Sequence, residues 1–295
     1  MNAQIAKSEK FSERRVKEIR TSLRRDLQDQ DYAVVANGSY ARREASLESD
    51  LDYFLICDSE KVCVEARKRI PKIRGILKKH VEKDPALGGA FGDAESIGGM
   101  VKNIGGSRDT NAKITRRILF LMEGEWLFNE GKFIRYRDAL ISKYLRRSIS
   151  DHQFCRFLLN DLIRYYRTIC VDFEHKTQEQ GKAWGTRNIK LVFSRKLLYF
   201  SGILVAAETW QHSYETKLAR LQHLLSLTPL QRIEEICGHR AEQALKLYGR
   251  FLEQMGDARI RKLLDAAPDR REQQPEEFRI LKNDGHHFSW MLTKL

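Results

Sequence analysis

Val34-Val35-Ala36-Asn37-Gly38-Ser39-Tyr40-Ala41-Arg42-Arg43-Glu44-Ala45-Ser46-Leu47-Glu48-Ser49-Asp50-Leu51-Asp52-Tyr53-Phe54-Leu55-Ile56 is the stretch that decides how this chain is read. It runs as a β-like apolar segment, a Gly-Ser turn, a short helix over 41–45, Ser-Asp-x-Asp and a second β-like segment. A glycine at a strand end lets the backbone come close to an anion. Ser39 adds a hydroxyl beside the N–H groups of a helix start. Asp50 and Asp52 are two apart on a strand, which sets both carboxylates on one face. Two convergent carboxylates with open coordination positions suit Mg²⁺ (or Mn²⁺), which keeps waters and bridges substrate phosphates. Two such ions clamp the attacking and leaving oxygens of an in-line displacement. A lone Asp-x-Asp is more simply a solvated strand start. Here Gly-Ser precedes it by a short spacer, and apolar runs flank both.

Outward from this stretch, residues 8–30 read as an amphipathic helix with Phe11, Val16, Ile19, Leu23 and Leu27 near one face. Residues 32–36 and 51–56 are the strand candidates. Residues 62–81 read as a helix that Pro71 kinks or breaks. Residues 87–106 are rich in glycine and hold one or two short strands. Asp109 or Thr110 caps a helix from 111 to 128. After Gly131 the strand signals largely stop. Helical patterns follow at 132–147, 151–175, 188–209, 214–226, 229–255 and 257–267, then a polar loop at 268–277. The expected fold is α+β: a small mixed-sheet domain with an N-terminal helix over 1–130, then an all-α domain over 131–295.

The 295 residues are 42% hydrophobic and 32% charged, which excludes a disordered chain, and the five prolines exclude a Pro-rich linker. The longest nearly apolar run, 197–207, is far short of the roughly 20 residues of a membrane-spanning helix. The basic, polar start has no apolar signal-peptide core. A cytoplasmic protein without membrane contact is expected. The net charge of +13 (53 basic residues against 40 acidic) favours RNA, DNA or nucleotides as partners. The plainer alternative is a generally basic surface. Five cysteines with no C-x-x-C pair argue against disulfides and thiolate zinc, and read as small buried hydrophobes.

The Gly-Ser, spacer, Asp-x-Asp pattern resembles the signature of the DNA polymerase β-like nucleotidyltransferase superfamily. Its fuller form, Gly-Ser-x-Ala-Arg through Ser-Asp-x-Asp, looks most like minimal bacterial nucleotidyltransferases and the PII uridylyltransferases. With its supporting elements the resemblance extends over 31–131. It is specific for the superfamily and does not name the member. It implies a small mixed sheet with helices on one side. It also implies transfer of a nucleoside monophosphate from an NTP, ATP among the candidates, onto a hydroxyl or phosphate, with pyrophosphate released. Gly38, Ser39 and Arg42 would then hold the nucleotide, and Asp50 and Asp52 the metals. A third acid on a later strand would serve one metal and act as base. Asp93 and Glu95 are the candidates, although the expected apolar-acid-apolar strand is missing and a solvated loop is the alternative. Many relatives have glycine after the motif arginine. This chain has Arg43, which either narrows the turn or adds a phosphate contact.

Weaker constellations lie outside the motif. Ile104-Gly105-Gly106-Ser107-Arg108-Asp109-Thr110-Asn111, followed by Lys113, Arg116 and Arg117, is either a phosphate-contacting turn or a plain capped helix. Trp184-Gly185-Thr186-Arg187-Asn188-Ile189-Lys190, then Arg195 and Lys196, sets Arg187 and Lys190 on one helix face. In superfamily relatives a following helical domain closes the cleft, so Arg187 and Lys190 are candidates for the nucleotide, or for RNA. The alternative is a solvated face over a core of Leu191, Leu198 and Ile203. Arg147/His152 and Arg232/His239 show a spacing found in helical ribonucleases that accompany minimal nucleotidyltransferases. His286-His287 lacks partners at ligand spacing. Three readings stand: a Mg²⁺-dependent nucleotidyltransferase acting on RNA, a protein, a second nucleotide or a small molecule; a non-catalytic nucleotide- or RNA-binding protein of the same fold; and a helical ribonuclease. The sequence leaves the NTP, acceptor and oligomeric state open.

Overall fold

The structure, a computed structural model, describes residues 3–28, 31–84, 91–102, 104–269 and 273–295. The chain runs α1 (Ala3–Asp26), β1 (Tyr32–Asn37), α2 (Gly38–Ala41), β2 (Asp52–Cys57), α3 (Glu60–Leu77), β3 (Ala94–Ser96) and α4 (Ile97–Val101). Next come α5 (Asn111–Glu123), β4 (Glu125–Phe128), α6 (Glu130–Tyr144), α7 (Arg156–Gln178) and α8 (Trp184–Lys190). A π-helical turn (Leu191–Arg195) leads into α9 (Lys196–Ala207), α10 (Tyr214–Ser226) and α11 (Pro229–Cys237). A 3₁₀ turn (Gly238–Ala241), α12 (Glu242–Gly256), α13 (Ala258–Ala266) and α14 (Glu276–Leu292) close the chain. The fold is α+β, with one mixed four-stranded sheet in the order β3-β2-β1-β4. β1 pairs antiparallel with β2 and β4, and β2 pairs parallel with β3.

Every residue of β1 is buried, so both faces of the sheet are covered. Alternation along the strand sends Tyr32, Val34 and Ala36 to a cluster with Val16, Ile19 and Leu23 of α1 and Ile73 of α3. Ala33 and Val35, with Phe54 and Ile56 of β2, join a second cluster. It continues through α5 and α6 to Leu158 and Leu162 of α7, Leu198 of α9 and Leu221 of α10. This second core crosses position 131 and fixes helices of the C-terminal half over one sheet face. A third cluster joins α8, α9, α11, α12, α13 and α14, and reaches Ile5 of α1.

The two motif strands fall where the sequence reading puts them. Other elements differ, for physical reasons. The helix expected to run to residue 128 stops at Glu123, and residues 125–128 turn back as β4. A Cβ at Gly124 would lie 2.4 Å from the Phe120 carbonyl oxygen, so only glycine lets the chain fold back this tightly. Pro71 does not break α3, which runs through it from Glu60 to Leu77. The helix expected over 229–255 is split at Gly238, whose φ is +55°. α14 was not foreseen. In the glycine-rich stretch, 87–90 and 103 lie outside the described residues, and 91–102 holds β3 and α4. No described helix is long and apolar enough to cross a membrane. The described cysteines are all free, and four are buried, with Cys170 half-buried.

In the turn at 104–111 residues 105–108 are exposed, while Asp109 and, on α5, Arg116 and Arg117 are buried. Thr110 caps α5 by accepting from the Lys113 N–H. Arg117, fully buried, donates to Asp109 at 2.9 Å and to Asp161 at 2.6 Å, and the Tyr144 hydroxyl donates to the same Asp161 at 2.7 Å. Buried guanidinium and carboxylates here satisfy one another, as buried charges must.

Candidate active site

The antiparallel register sets Asn37, the last residue of β1, opposite Asp52, the first of β2. Alternation puts Asp52 on the same face as Phe54 and Ile56, the face that the C-terminal helices cover. Asp50 lies just ahead of the strand and is exposed. Both carboxylates line one cleft with Gly38, Ser39 and Arg42. The facing wall carries Lys190 at the end of α8, Ser194 and Arg195 from the π turn, and Arg261 from α13. Phe251, Leu252 and Met255 of α12 add an apolar side. The cleft opens to solvent, and its space, open solvent included, is about 600 Å³. The structure therefore brings together Gly38, Ser39, Arg42, Asp50, Asp52 and Lys190, which sequence reasoning singled out across a long separation.

The glycine of the turn has a local cause. Gly38 has φ +71°, in the region that disfavours side chains, and a Cβ there would stand 2.7 Å from Asp52 Oδ2. The carboxylate thus packs directly against bare backbone. Arg43, where relatives often carry glycine, also adopts a left-handed φ of 63°. Its guanidinium is committed to Glu125 at 2.8 Å and to the Tyr40 carbonyl at 3.3 Å. Arg42 is buried and donates to Glu44 at 2.8 Å and Glu123 at 2.5 Å. Burial works against its charge, but the two carboxylates outweigh this and raise its pKa. Arg42 thus lines the cleft with its charge already answered.

Burial, with the neighbouring Asp50 charge, pushes the Asp52 carboxyl up to about 7, against the pull of Arg195 and Lys190. On the facing wall, burial and then Arg261 bring the Lys190 ammonium down to about 8, while Asp50 and Asp52 oppose the shift. Burial works against the Arg195 charge, but Tyr165 and Glu123 more than offset it and raise its pKa.

Lys190 and Arg195 are five residues apart. In an α-helix they would point about 140° away from each other. The π turn between them, with its i→i+5 bonding, rotates the later residue back, and both reach the same cleft. Sequence reading took this stretch as one regular helix, and nothing in Leu191-Val192-Phe193-Ser194-Arg195 marks the extra residue.

The remaining candidates lie elsewhere. Asp93 and Glu95 do not line the cleft. Asp93 pairs with Arg67 at 2.8 Å and Arg116 at 3.1 Å, and Glu95 with Arg116 at 2.8 Å. Among the described residues no group of three or more His, Cys, Asp or Glu is disposed to hold a metal. Arg187 does not line the cleft. Lys196 donates to Ser289 at 2.6 Å, fastening α9 to α14. Trp184 packs on Phe278, with ring centroids 5.2 Å apart. Arg232 is buried and donates to the Leu224 carbonyl at 2.7 Å, while His239 is exposed, so this pair presents no common surface. The His152 ring lies beside Trp210. His286 and His287 are exposed on α14.

Glu123 and Glu44 were missed by the sequence reading. Glu44 lines the cleft, and burial raises its carboxyl pKa against the pull of Arg42. Glu123 accepts from the Gly38 N–H at 2.9 Å across 85 residues of chain. Its only sequence signal is a charge ending the apolar run Ile118-Leu119-Phe120-Leu121-Met122.

The family model described as "Putative nucleotidyltransferase DUF294" matches residues 4–80, which span α1 to α3 and contain both halves of the motif. The N-terminal part of the chain is therefore nucleotidyltransferase-like. No curated protein matches the chain.

Proposed function

We propose that the protein is a Mg²⁺-dependent nucleotidyltransferase whose NTP binds in the cleft between the sheet and the C-terminal helices. The observation that carries this reading is the convergence of Asp50 and Asp52 with Lys190, Arg195 and Arg261 around one space. The donor set fits a hard divalent cation. Burial, and after it the Asp50 charge, drives Asp52 to about 7, and the remaining ligands of the cation would be water and phosphate oxygens. Asp50 and Asp52 would hold Mg²⁺, which when bound supplies charge neutralisation at the triphosphate. Ser39, Lys190 and Arg195 would fix the phosphates, and Phe251, Leu252 and Met255 offer an apolar wall for a nucleobase. The acceptor nucleophile attacks the α-phosphorus, a P–O bond to the nucleotide forms, and the bond to pyrophosphate breaks. The contribution of these residues is positioning and charge stabilisation.

The cations gathered on the facing wall of the cleft, Lys190, Arg195 and Arg261, favour the triphosphate over an RNA track, since Lys196 is fastened to α14 and Lys190 is drawn toward Asp50 and Asp52. A second reading, a nucleotide-binding relative without turnover, is favoured by the engagement of Asp93 and Glu95 with arginines. Incubation with each α-labelled NTP, Mg²⁺ and cell lysate tests both. Transfer of label with pyrophosphate release that is lost in Asp52→Ala supports the transferase. Saturable NTP binding with no transfer supports the second reading, and neither binding nor transfer refutes both.

A further inference from the structure

The N–H of Gly38 is the first backbone donor of the Gly-Ser turn, and its partner is the protein itself. It donates to Glu123 Oε1 at 2.9 Å. The other oxygen of that carboxylate accepts from Arg42 Nη1 at 2.5 Å, and Arg195 Nη1 stands 3.8 Å from Oε1. The Glu123 side chain is fully buried, and it does not line the cleft. It is the last residue of α5, held rigidly between that helix and the reversal at Gly124. One carboxylate therefore ties the turn after β1 to the motif arginine, and its charge lies within ion-pair distance of Arg195 in the π turn of the facing wall, whose buried Nη1 has no hydrogen-bond partner among the described residues. Burial opposes its charge, but Arg42 and Arg195 carry its pKa below the ordinary range, so it is an anion in the folded protein.

We propose that Glu123 is the positioning residue of the nucleotide site: it holds the Gly38 N–H and the Arg42 guanidinium from behind and sets its charge beside Arg195, so that Ser39 and Arg195 meet the triphosphate already aimed. This rests on the reading of the cleft as an NTP site. A carboxylate bonded to a backbone amide and one guanidinium, with its charge beside a second, orients the groups that touch the ligand, as outer partners of binding groups do. Gly38 N–H is then not a phosphate donor, contrary to what the motif alone implies. The role is separable from folding, because Arg42 keeps a second carboxylate, Glu44, at 2.8 Å.

Glu123→Gln keeps the size and an acceptor oxygen for Gly38 but removes the charge on the two arginines. Glu123→Asp keeps the charge and withdraws the reach to Gly38, and serves if the first variant does not fold. Affinities for the four Mg-NTPs are measured by calorimetry, and for Mn²⁺ alone by electron paramagnetic resonance. The expected result is a loss of NTP affinity of about tenfold or more, with Mn²⁺ affinity changed by no more than about threefold. In the wild type, the Gly38 amide resonance should stay at its carboxylate-bonded position when NTP saturates the site. NTP affinity within about twofold of wild type in a folded variant would overturn the inference alone. So would a Gly38 amide that moves onto phosphate, seen as a scalar coupling to phosphorus. A wild-type protein that binds none of the four NTPs would overturn the site reading and this inference with it.

Discussion

Gly38 and Asp52 are locked together by contact, and a double-mutant cycle measures that lock. Replacing Gly38 by alanine forces a side chain into φ +71° and places its Cβ 2.7 Å from Asp52 Oδ2. The left-handed backbone costs about 1–2 kcal/mol. Overpacking against a carboxylate that β2 holds in register costs a further 1–3 kcal/mol or so. Alanine also stiffens the unfolded chain, which returns about 0.4–1 kcal/mol. Gly38→Ala alone should therefore destabilise by roughly 1–5 kcal/mol. In an Asp52→Ala background the oxygen is gone, while the backbone and unfolded-state effects remain. The two mutations should then couple by about 1–3 kcal/mol. Urea unfolding of the four proteins at pH 7 in EDTA gives the coupling, provided the slopes agree. Costs that add to within about 0.5 kcal/mol would show that Gly38 serves the backbone conformation only, and would remove the packing argument.

Other outcomes follow from the same geometry. The Asp52 carboxyl titrates at about 7 in the fold and near 4 when unfolded, so the native state holds the proton longer. This contribution to metal-free stability is full below about pH 4 and is lost as pH rises to about 7; thermal melts in EDTA should show it, and Asp52→Asn should remove it. Lys190→Met or Arg195→Gln should weaken NTP binding by about 10–100-fold, the worth of a charged hydrogen bond, as read by calorimetry. Asp93→Asn with Glu95→Gln should leave Mn²⁺ affinity within about twofold while lowering the melting temperature. A lost Mn²⁺ site in a folded double variant would make those acids part of the metal centre.

How much the sequence reveals depends on whether a cause is local. Both strands of the motif were legible because their apolar residues are bounded by Gly-Ser and Asp-x-Asp, and strand pairing then follows from a short connection. β4 was not, because Trp126-Leu127-Phe128 continues the apolar run of α5, and the break is one glycine whose clash with the Phe120 carbonyl exists only in three dimensions. α14 was hidden by its polar and glycine content: Gly285 and Phe288 face Phe193 and Val192, a partner surface nearly a hundred residues earlier in the chain. Asp50, Asp52, Gly38 and Ser39 could be named from spacing because one turn and one strand start deliver them. Lys190 came from a basic helix face, but its companion Arg187 sits elsewhere, since the π turn and not the i,i+3 rule decides which cations face the cleft. Glu123 has no local signature. Its importance lies in what a fully buried carboxylate must be bonded to.

On the proposed function, Asp50 and Asp52 hold a divalent cation beneath a nucleotide triphosphate. Anomalous diffraction from crystals grown with Mn²⁺ and a non-hydrolysable NTP analogue tests it most directly. A manganese peak is expected within coordination distance of both carboxylates, about 2.0–2.3 Å, with triphosphate oxygens on the side of Lys190 and Arg195. An analogue bound outside this cleft, or bound within it with no manganese on Asp50 and Asp52, would contradict it.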